Sequence, residues 1–270
     1  MTSVQQKATT PRRLSPAALS RWRLCEQQFY FADVERVPRR EQPNPLLAQG
    51  SAVHAGLEKF FGLRPDQRDP AEGLLHQALR NRWPVYRKPD TFASVDQEIE
   101  FGQGALALMS SFAANFDTTI EPLAREQWLS TRLPNGIELF GKIDRADRFE
   151  DGIAVIDYKT GRHQIEPEDL PGEPAAQVYL LAAEDEFRLP VRCVRYLYLQ
   201  TGADVRWYPE REDIPAIAER LIALTTAIKE ATTFPASTGE HCRWCPFALR
   251  CPDRGRVELA DIAPAEGLVF

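Results

Sequence analysis

Three charged side chains in the middle of the chain are spaced for joint chemistry. The run Ile153-Ala154-Val155-Ile156-Asp157-Tyr158-Lys159 reads as a β-strand, and Asp157 and Lys159, two apart, leave it on one face. The run from Ile137 to Phe149 reads as another strand, joined to the first by a turn at Asp151-Gly152. Antiparallel pairing of the two puts Asp144 beside Asp157 and Lys159. Neighbouring carboxylates repel unless a cation neutralises them. A divalent ion such as Mg2+ or Mn2+ does so and keeps positions for water and a substrate phosphate. The ammonium of Lys159 can hold the attacking water and balance charge on the phosphate. That set suits metal-assisted hydrolysis of a phosphodiester. The plainer alternative is a pair of surface charges facing each other across a hairpin. Against it stands the apolar run before Asp157, because a buried strand ending in two unlike charges needs a reason.

A second group of reactive side chains lies near the two ends. Cys242-x-x-Cys245 followed by Cys251 puts three thiols within reach of one metal centre, and Cys25 is the candidate for a fourth ligand. Zinc and an iron–sulfur cluster both accept four cysteines, and the spacing does not choose between them. Buried structural thiols are the remaining reading. Cys193, in an apolar strand, reads as a core residue. Arg12, Arg13, Arg21, Trp22 and Arg23 precede Cys25, and Arg36, Arg39 and Arg40 follow it, while Arg243, Trp244 and Arg250 sit among the other cysteines. Joined by the cysteines, these would form one basic patch in which Trp22 and Trp244 can stack on bases. A solvated helix face is the alternative. No base-reading motif occurs, so nucleic-acid binding would be sequence-independent and salt-sensitive.

Positioning these residues requires a mixed fold. Ser15-Pro16 starts a helix over 16–31, and a loop with Pro38, Pro43 and Pro45 ends it. A second helix opens at Gly50-Ser51, with Val53, Leu57, Phe60 and Phe61 as its apolar stripe. Helical periodicity returns at 71–83 and 96–116. Strands follow at 126–133 and 137–149 across Pro134-Asn135-Gly136, and then at 153–159. A helix at 174–186, a hairpin of 191–199 with 204–208, and a long helix at 213–230 complete the pattern. The expected class is α/β, a mixed central sheet flanked by helices. One domain is expected over 14–255, with tails at 1–13 and 256–270.

The chain's 270 residues, 43% hydrophobic and 27% charged, suffice for one good-sized core. A net charge of −6, from 33 basic and 39 acidic residues, excludes a generally basic coat for nucleic acid but allows a local groove. No apolar run approaches the roughly 18 residues of a spanning helix, and the first residues lack the apolar stretch of a signal peptide. A cytoplasmic protein without a membrane partner is expected, and there five cysteines are not a disulfide framework. No G-x-x-x-x-G-K-[ST] occurs, so any motor would lie on another chain.

Gly141-Lys142-Ile143-Asp144-Arg145 followed by Val155-Ile156-Asp157-Tyr158-Lys159-Thr160-Gly161 resembles the core signature of the PD-(D/E)xK nucleases, in the branch of RecB-like exonuclease domains. The resemblance implies a restriction-endonuclease-like core. It makes Asp144 and Asp157 metal ligands, brings the Tyr158 carbonyl to the metal, and makes Lys159 the catalytic lysine. The pattern Gly50-x-x-x-His54 implies His54 as a further ligand; His76, His163 and His241 gain no such support. The branch carries a glutamine and a tyrosine four residues apart on the helix after the lysine strand. Here Leu181 stands four after Gln177, and Ala175 four before Tyr179, so Gln177 or Tyr179 keeps the substrate-positioning role without its partner. Glu126 resembles an acidic position common in the branch, or is a solvated strand-edge glutamate.

One cysteine before the core and three after it is the arrangement of AddB-type and CRISPR-associated iron–sulfur relatives. It implies a [4Fe–4S] cluster on Cys25, Cys242, Cys245 and Cys251 that clasps the termini. The implied function is a metal-dependent DNA exonuclease acting on single strands or DNA ends in repair, recombination or CRISPR adaptation. DNA would meet Arg21, Trp22, Arg243 and Trp244, and a helicase or CRISPR-adaptation protein would be the partner. Two alternatives stand beside it: a non-catalytic iron–sulfur DNA-binding or assembly subunit of a helicase–nuclease complex, and a zinc-stapled enzyme acting on another phosphodiester such as RNA.

Overall fold

The computed structural model describes residues 10–38 and 44–253. Of the expected tails, 1–9 and 256–270 lie outside the described residues, as do Arg39, Arg40 and Pro43. In chain order the elements are β1 (Arg13–Leu14), α1 (Pro16–Leu24), α2 (Glu26–Phe29), a π-helical turn (Tyr30–Val34), α3 (Pro45–Phe61), α4 (Ala71–Tyr86) and α5 (Val95–Asn115). Then come β2 (Ala124–Arg132), β3 (Glu138–Phe149), β4 (Gly152–Lys159), α6 (Pro174–Phe187), β5 (Val191–Tyr198), β6 (Ala203–Trp207) and α7 (Ile214–Glu230). No helix among the described residues is long and apolar enough to cross a membrane.

The chain divides into two compact units. One contains 44–129 and 142–209, and its centre is β4. Every residue of β4 up to Tyr158 is buried, the mark of a strand covered on both faces. β4 pairs antiparallel with β3, from Phe149–Gly152 to Arg145–Ile156. On its other edge β4 runs parallel to β5, and α6 makes the crossover that a parallel pair requires. β6 closes back antiparallel on β5, and β2 pairs with β3. The sheet is therefore mixed, as expected. Val53, Leu57, Phe60 and Phe61 of α3, with Met109 and Phe112 of α5, pack on Ala154, Ile156 and Tyr158 of β4 and on Cys193 and Leu197 of β5. Cys193 is a core residue, as its apolar strand indicated.

α3 starts at Pro45, five residues before Gly50. Asn44 caps it by accepting the Leu47 N–H at 2.9 Å, and proline fits the first turn, where its missing N–H costs nothing. The prolines that read as a loop thus include the helix start.

The other unit contains 10–38, 130–141 and 210–253. β1 runs parallel to the start of β3, with Arg13 opposite Glu138 and Leu14 opposite Leu139. The turn between β2 and β3 closes through the Leu133 N–H donating to the Ile137 carbonyl at 2.8 Å, and Gly136 takes the left-handed conformation that a side chain would resist. Asn135 anchors that turn on α7, donating to Thr225 Oγ1 at 2.8 Å and Thr226 Oγ1 at 2.9 Å. The expected single helix over 16–31 is broken: Cys25 is extended, with φ −165°, between α1 and α2. Cysteine is no helix breaker by propensity. The break follows tertiary bonds instead, the Gln27 N–H donating to the Pro235 carbonyl at 3.2 Å and the Ser237 N–H to Cys25 Sγ at 3.4 Å.

Candidate functional site

Between β3 and β4 the ladder stops at Arg145–Ile156. Beyond it, the Tyr158 N–H donates to a side chain, Asp144 Oδ2, at 2.6 Å. Backbone geometry thus fixes one carboxylate oxygen of Asp144 and leaves the other to face α3. There Asp144 Oδ1 meets His54 Nδ1 at 2.9 Å. Glu126 Oε1 lies 3.9 Å from the same nitrogen. One ligand atom from each of His54, Glu126 and Asp144 lies within 4.8 Å of the other two, the one such trio of His, Cys, Asp or Glu among the described residues. Asp157 stands beside this trio rather than in it, with its Oδ1 3.0 Å from Lys159 Nζ.

Glu126 reaches the trio through an irregular strand. Leu129 and Thr131 of β2 are buried on the odd phase, whereas Ala124 is buried on the even one. The slip falls at Glu126, whose φ is +46°, a left-handed value that costs a non-glycine residue energy. Such local irregularities re-aim a side chain next to active sites. Glu126 Oε2 makes a close ion pair with Lys142 Nζ. Its Oε1 is buried without a hydrogen-bond partner among the described residues, an arrangement that suits a cation.

The electrostatics agree. Burial pushes the Asp157 and Glu126 carboxyls up, the Lys159 ammonium and the Lys142 pair notwithstanding. Burial acts the same way on Asp144, but the His54 imidazolium and the Tyr158 N–H hold that carboxyl below its ordinary range. Burial would lower His54; Asp144 outweighs it, with Asp157 and Glu126 adding, and the imidazole is pushed up to about 9. Without metal, then, a proton on His54 offsets the crowded carboxylates. A divalent cation offers the same neutralisation more strongly; the carboxylate oxygens are the donors that Mg2+ and Mn2+ prefer, and the His54 nitrogen adds a softer one.

Supporting side chains explain the motif residues. Arg145 is 2% exposed; it pairs with Asp147 at 2.8 Å, donates to Tyr158 Oη at 3.2 Å and lies over the Phe61 ring at 4.4 Å. It pins the Tyr158 side chain on the helix face, where that ring meets His54 edge-on at 5.8 Å. Gly50 has a packing reason. A Cβ there would lie 2.9 Å from Thr160 Oγ1, just past the end of β4, so glycine lets α3 approach without displacing the Thr160 side chain and brings His54, one turn on, to Asp144. Gly50→Ala is expected to weaken Mn2+ binding by roughly ten- to a hundredfold, the range for disturbed outer-sphere supports, with an unchanged helical circular-dichroism signal. Calorimetric titration of metal-free protein measures it, and an unaltered Kd would show that Thr160 simply yields.

The helix pair is divided. Tyr179 Oη donates to the Lys142 carbonyl at 3.0 Å, touching the strand that carries Asp144. Gln177 is buried, donates to the Pro171 carbonyl at 2.7 Å and keeps an unpartnered Oε1. Lys142, as partner of Glu126, was not singled out in the sequence. The signal was its place two before Asp144, on the same strand face.

In the other unit, Cys25, Cys242, Cys245 and Cys251 line one pocket with Phe31, Phe247 and His241, and all four are free thiols. Burial first, then the three neighbouring sulfurs, raise the Cys245 thiol to about 11, which is a measure of how crowded the group is. One buried thiol, Cys25, and three half-buried ones around a single pocket form a donor set that suits a metal centre. Arg21 makes a two-pronged ion pair with Asp33 at 2.8 and 2.7 Å. Trp22 packs edge-on against Phe29 at 5.3 Å and Phe234 at 6.1 Å. Arg243 is exposed. Trp244 is half-buried, its indole N–H turned inward.

A mixed sheet that gathers a histidine, carboxylates and a lysine at the parting of two strands is the framework of a metal-dependent nuclease. Residues 13–252 match the PD-(D/E)XK nuclease superfamily, and the chain belongs to it. Among solved structures, the crystal structure of SSO0001 is similar at 13% identity and a TM-score of 0.40, over 90% of this chain and 87% of that one. No curated protein sequence matches.

Proposed function

We propose that this protein is a RecB-like DNA exonuclease acting on single strands or DNA ends. Asp144, Asp157, His54 and the Tyr158 carbonyl hold Mg2+ or Mn2+, and Glu126 adds an oxygen. One observation carries the reading: His54, Glu126 and Asp144 converge within 4.8 Å beside the Asp157–Lys159 pair. The bound ion supplies charge neutralisation, a hold on a phosphate oxygen and acidification of water. Lys159, partly exposed and tethered to Asp157, aims its ammonium where a phosphate oxygen or the attacking water is met. Tyr179 steadies the backbone of β3 at Lys142, and Gln177, buried on α6 with an unpartnered oxygen, is the other candidate for the family's positioning role.

The same reading gives the four cysteines a [4Fe–4S] cluster. The support is that Cys25, Cys242, Cys245 and Cys251 line one pocket, a four-thiol set that an iron–sulfur cluster accepts, with zinc the alternative. Arg243 and Trp244, beside those cysteines, meet DNA, while Arg21 and Trp22 give that surface its shape through Asp33 and Phe29. The protein works in the cytoplasm, in repair, recombination or CRISPR adaptation, with a helicase or adaptation protein as partner.

End-labelled single-stranded and duplex DNA, incubated with Mn2+ or with EDTA, test the activity. Stepwise shortening that needs Mn2+ is expected. Intact DNA under every condition, from protein that binds Mn2+, would overturn the enzymatic reading in favour of an assembly subunit.

A further inference from the structure

We infer that Tyr196 is the positioning residue for Lys159: the face of its ring fixes where the ammonium sits. The inference rests on the proposed role of Lys159. A lysine is a point charge on a flexible four-carbon stem, and the Asp157 carboxylate, at 3.0 Å, is one tether. That tether slackens whenever Asp157 turns its oxygens to a metal ion. A second hold is needed that no cation can take away, and an aromatic face is one.

Lys159 Nζ lies 4.1 Å from the centroid of the Tyr196 ring, well within the range of cation–π attraction. The topology puts the ring there. Tyr196 of β5 stands opposite Asp157 in the parallel ladder, with Leu197 and Tyr198 opposite Tyr158 and Lys159. Its side chain therefore leaves the sheet on the face that Asp157 and Lys159 share. The ring is 1% exposed and among the largest fully buried side chains, so it cannot swing away. Cation–π pairs strengthen when water is excluded. The hydroxyl has no hydrogen-bond partner among the described residues. The ring, not the Oη, is what this position uses.

The test is a substitution series read in two ways. Tyr196→Phe and Tyr196→Trp keep a π face and are expected to hold kcat within about threefold. Tyr196→Leu is expected to lower kcat roughly ten- to thirtyfold with KM for DNA little changed. The second readout needs no activity and no metal. In the proton–carbon spectrum of the metal-free protein, the ε-methylene of Lys159 (identified by its loss in Lys159→Arg) is expected upfield from the ring current. The shift persists in Tyr196→Phe and disappears in Tyr196→Leu. An unshifted Lys159 signal in the wild-type protein overturns the inference even if the leucine variant does not fold. So does a fully active Tyr196→Leu beside an inactive Lys159→Ala. A fully active Lys159→Ala overturns the proposed role of Lys159, and the inference with it.

Discussion

Asp144→Asn is expected to lower Mn2+-dependent DNA hydrolysis by roughly a thousandfold or more, about 4 kcal/mol of transition-state stabilisation, without unfolding the chain. Asp144 is the one group that both strands and α3 hold at once. Its Oδ2 takes the Tyr158 N–H at 2.6 Å and its Oδ1 meets His54 at 2.9 Å. An asparagine oxygen can still accept from Tyr158, so the substitution removes charge and leaves shape. What it cannot do is attract a divalent ion or sustain the raised pKa of His54, of which Asp144 is the chief support. Two measurements separate the possibilities. Single-turnover hydrolysis reads the chemistry, and the Mn2+-dependent rise in Tm reads binding, since a ligand at a hundred times its Kd stabilises by about 2.7 kcal/mol. Loss of both is expected. Wild-type hydrolysis in the variant would sink the proposed site, and a preserved Tm shift with lost hydrolysis would move Asp144 from binding the ion to using it.

What could be foreseen of this site divides along the range of the forces involved. The β3–β4 pairing with Asp144, Asp157 and Lys159 was legible because strand alternation and the Asp151-Gly152 turn are local signals. The class of sheet followed from the alternation of elements. The placement of His54 was legible only through resemblance: its physical cause, the close approach of Gly50 to Thr160, joins residues 110 positions apart. Glu126 could be read two ways because nothing in a glutamate announces a left-handed backbone. The pairing of Arg21 with Asp33, which the π-helical turn brings back onto it, could not be foreseen, because π turns have no composition signal. The start of α3 is a different kind of miss. Asn44-Pro45 is a good cap and first turn, and the neighbouring prolines hid it.

Cys251→Ala is expected to remove a broad absorbance near about 400 nm from anaerobically purified protein, and to lower Tm by roughly 10–20 °C. The magnitude follows from chain entropy. Cys25 and the three later cysteines, which line one pocket, are separated by more than about 200 residues. Closing a loop of that size is worth about 5 kcal/mol in the cross-link treatment, and each kcal/mol moves Tm by about 2–4 °C in a chain of this length. Local structure offers little in compensation. Cys25 is held in an extended break between two short helices, and the later cysteines sit in a single 3-10 turn, Glu240–Trp244, and the turns after it. Such segments have too few backbone bonds of their own to persist unaided. The aromatic contacts of Phe234 with Trp22, Phe29 and Tyr30, and of Phe247 with Phe31, would loosen together, because they are the faces the cysteines draw shut. Hydrolysis needs no electron from such a centre, so Cys251→Ala should lose DNA affinity before it loses the chemical step. A colourless wild-type protein carrying one zinc per chain would replace the cluster by a zinc staple. A variant as stable as the wild type would show that the four thiols are packing groups, and that the aromatic contacts close this unit by themselves.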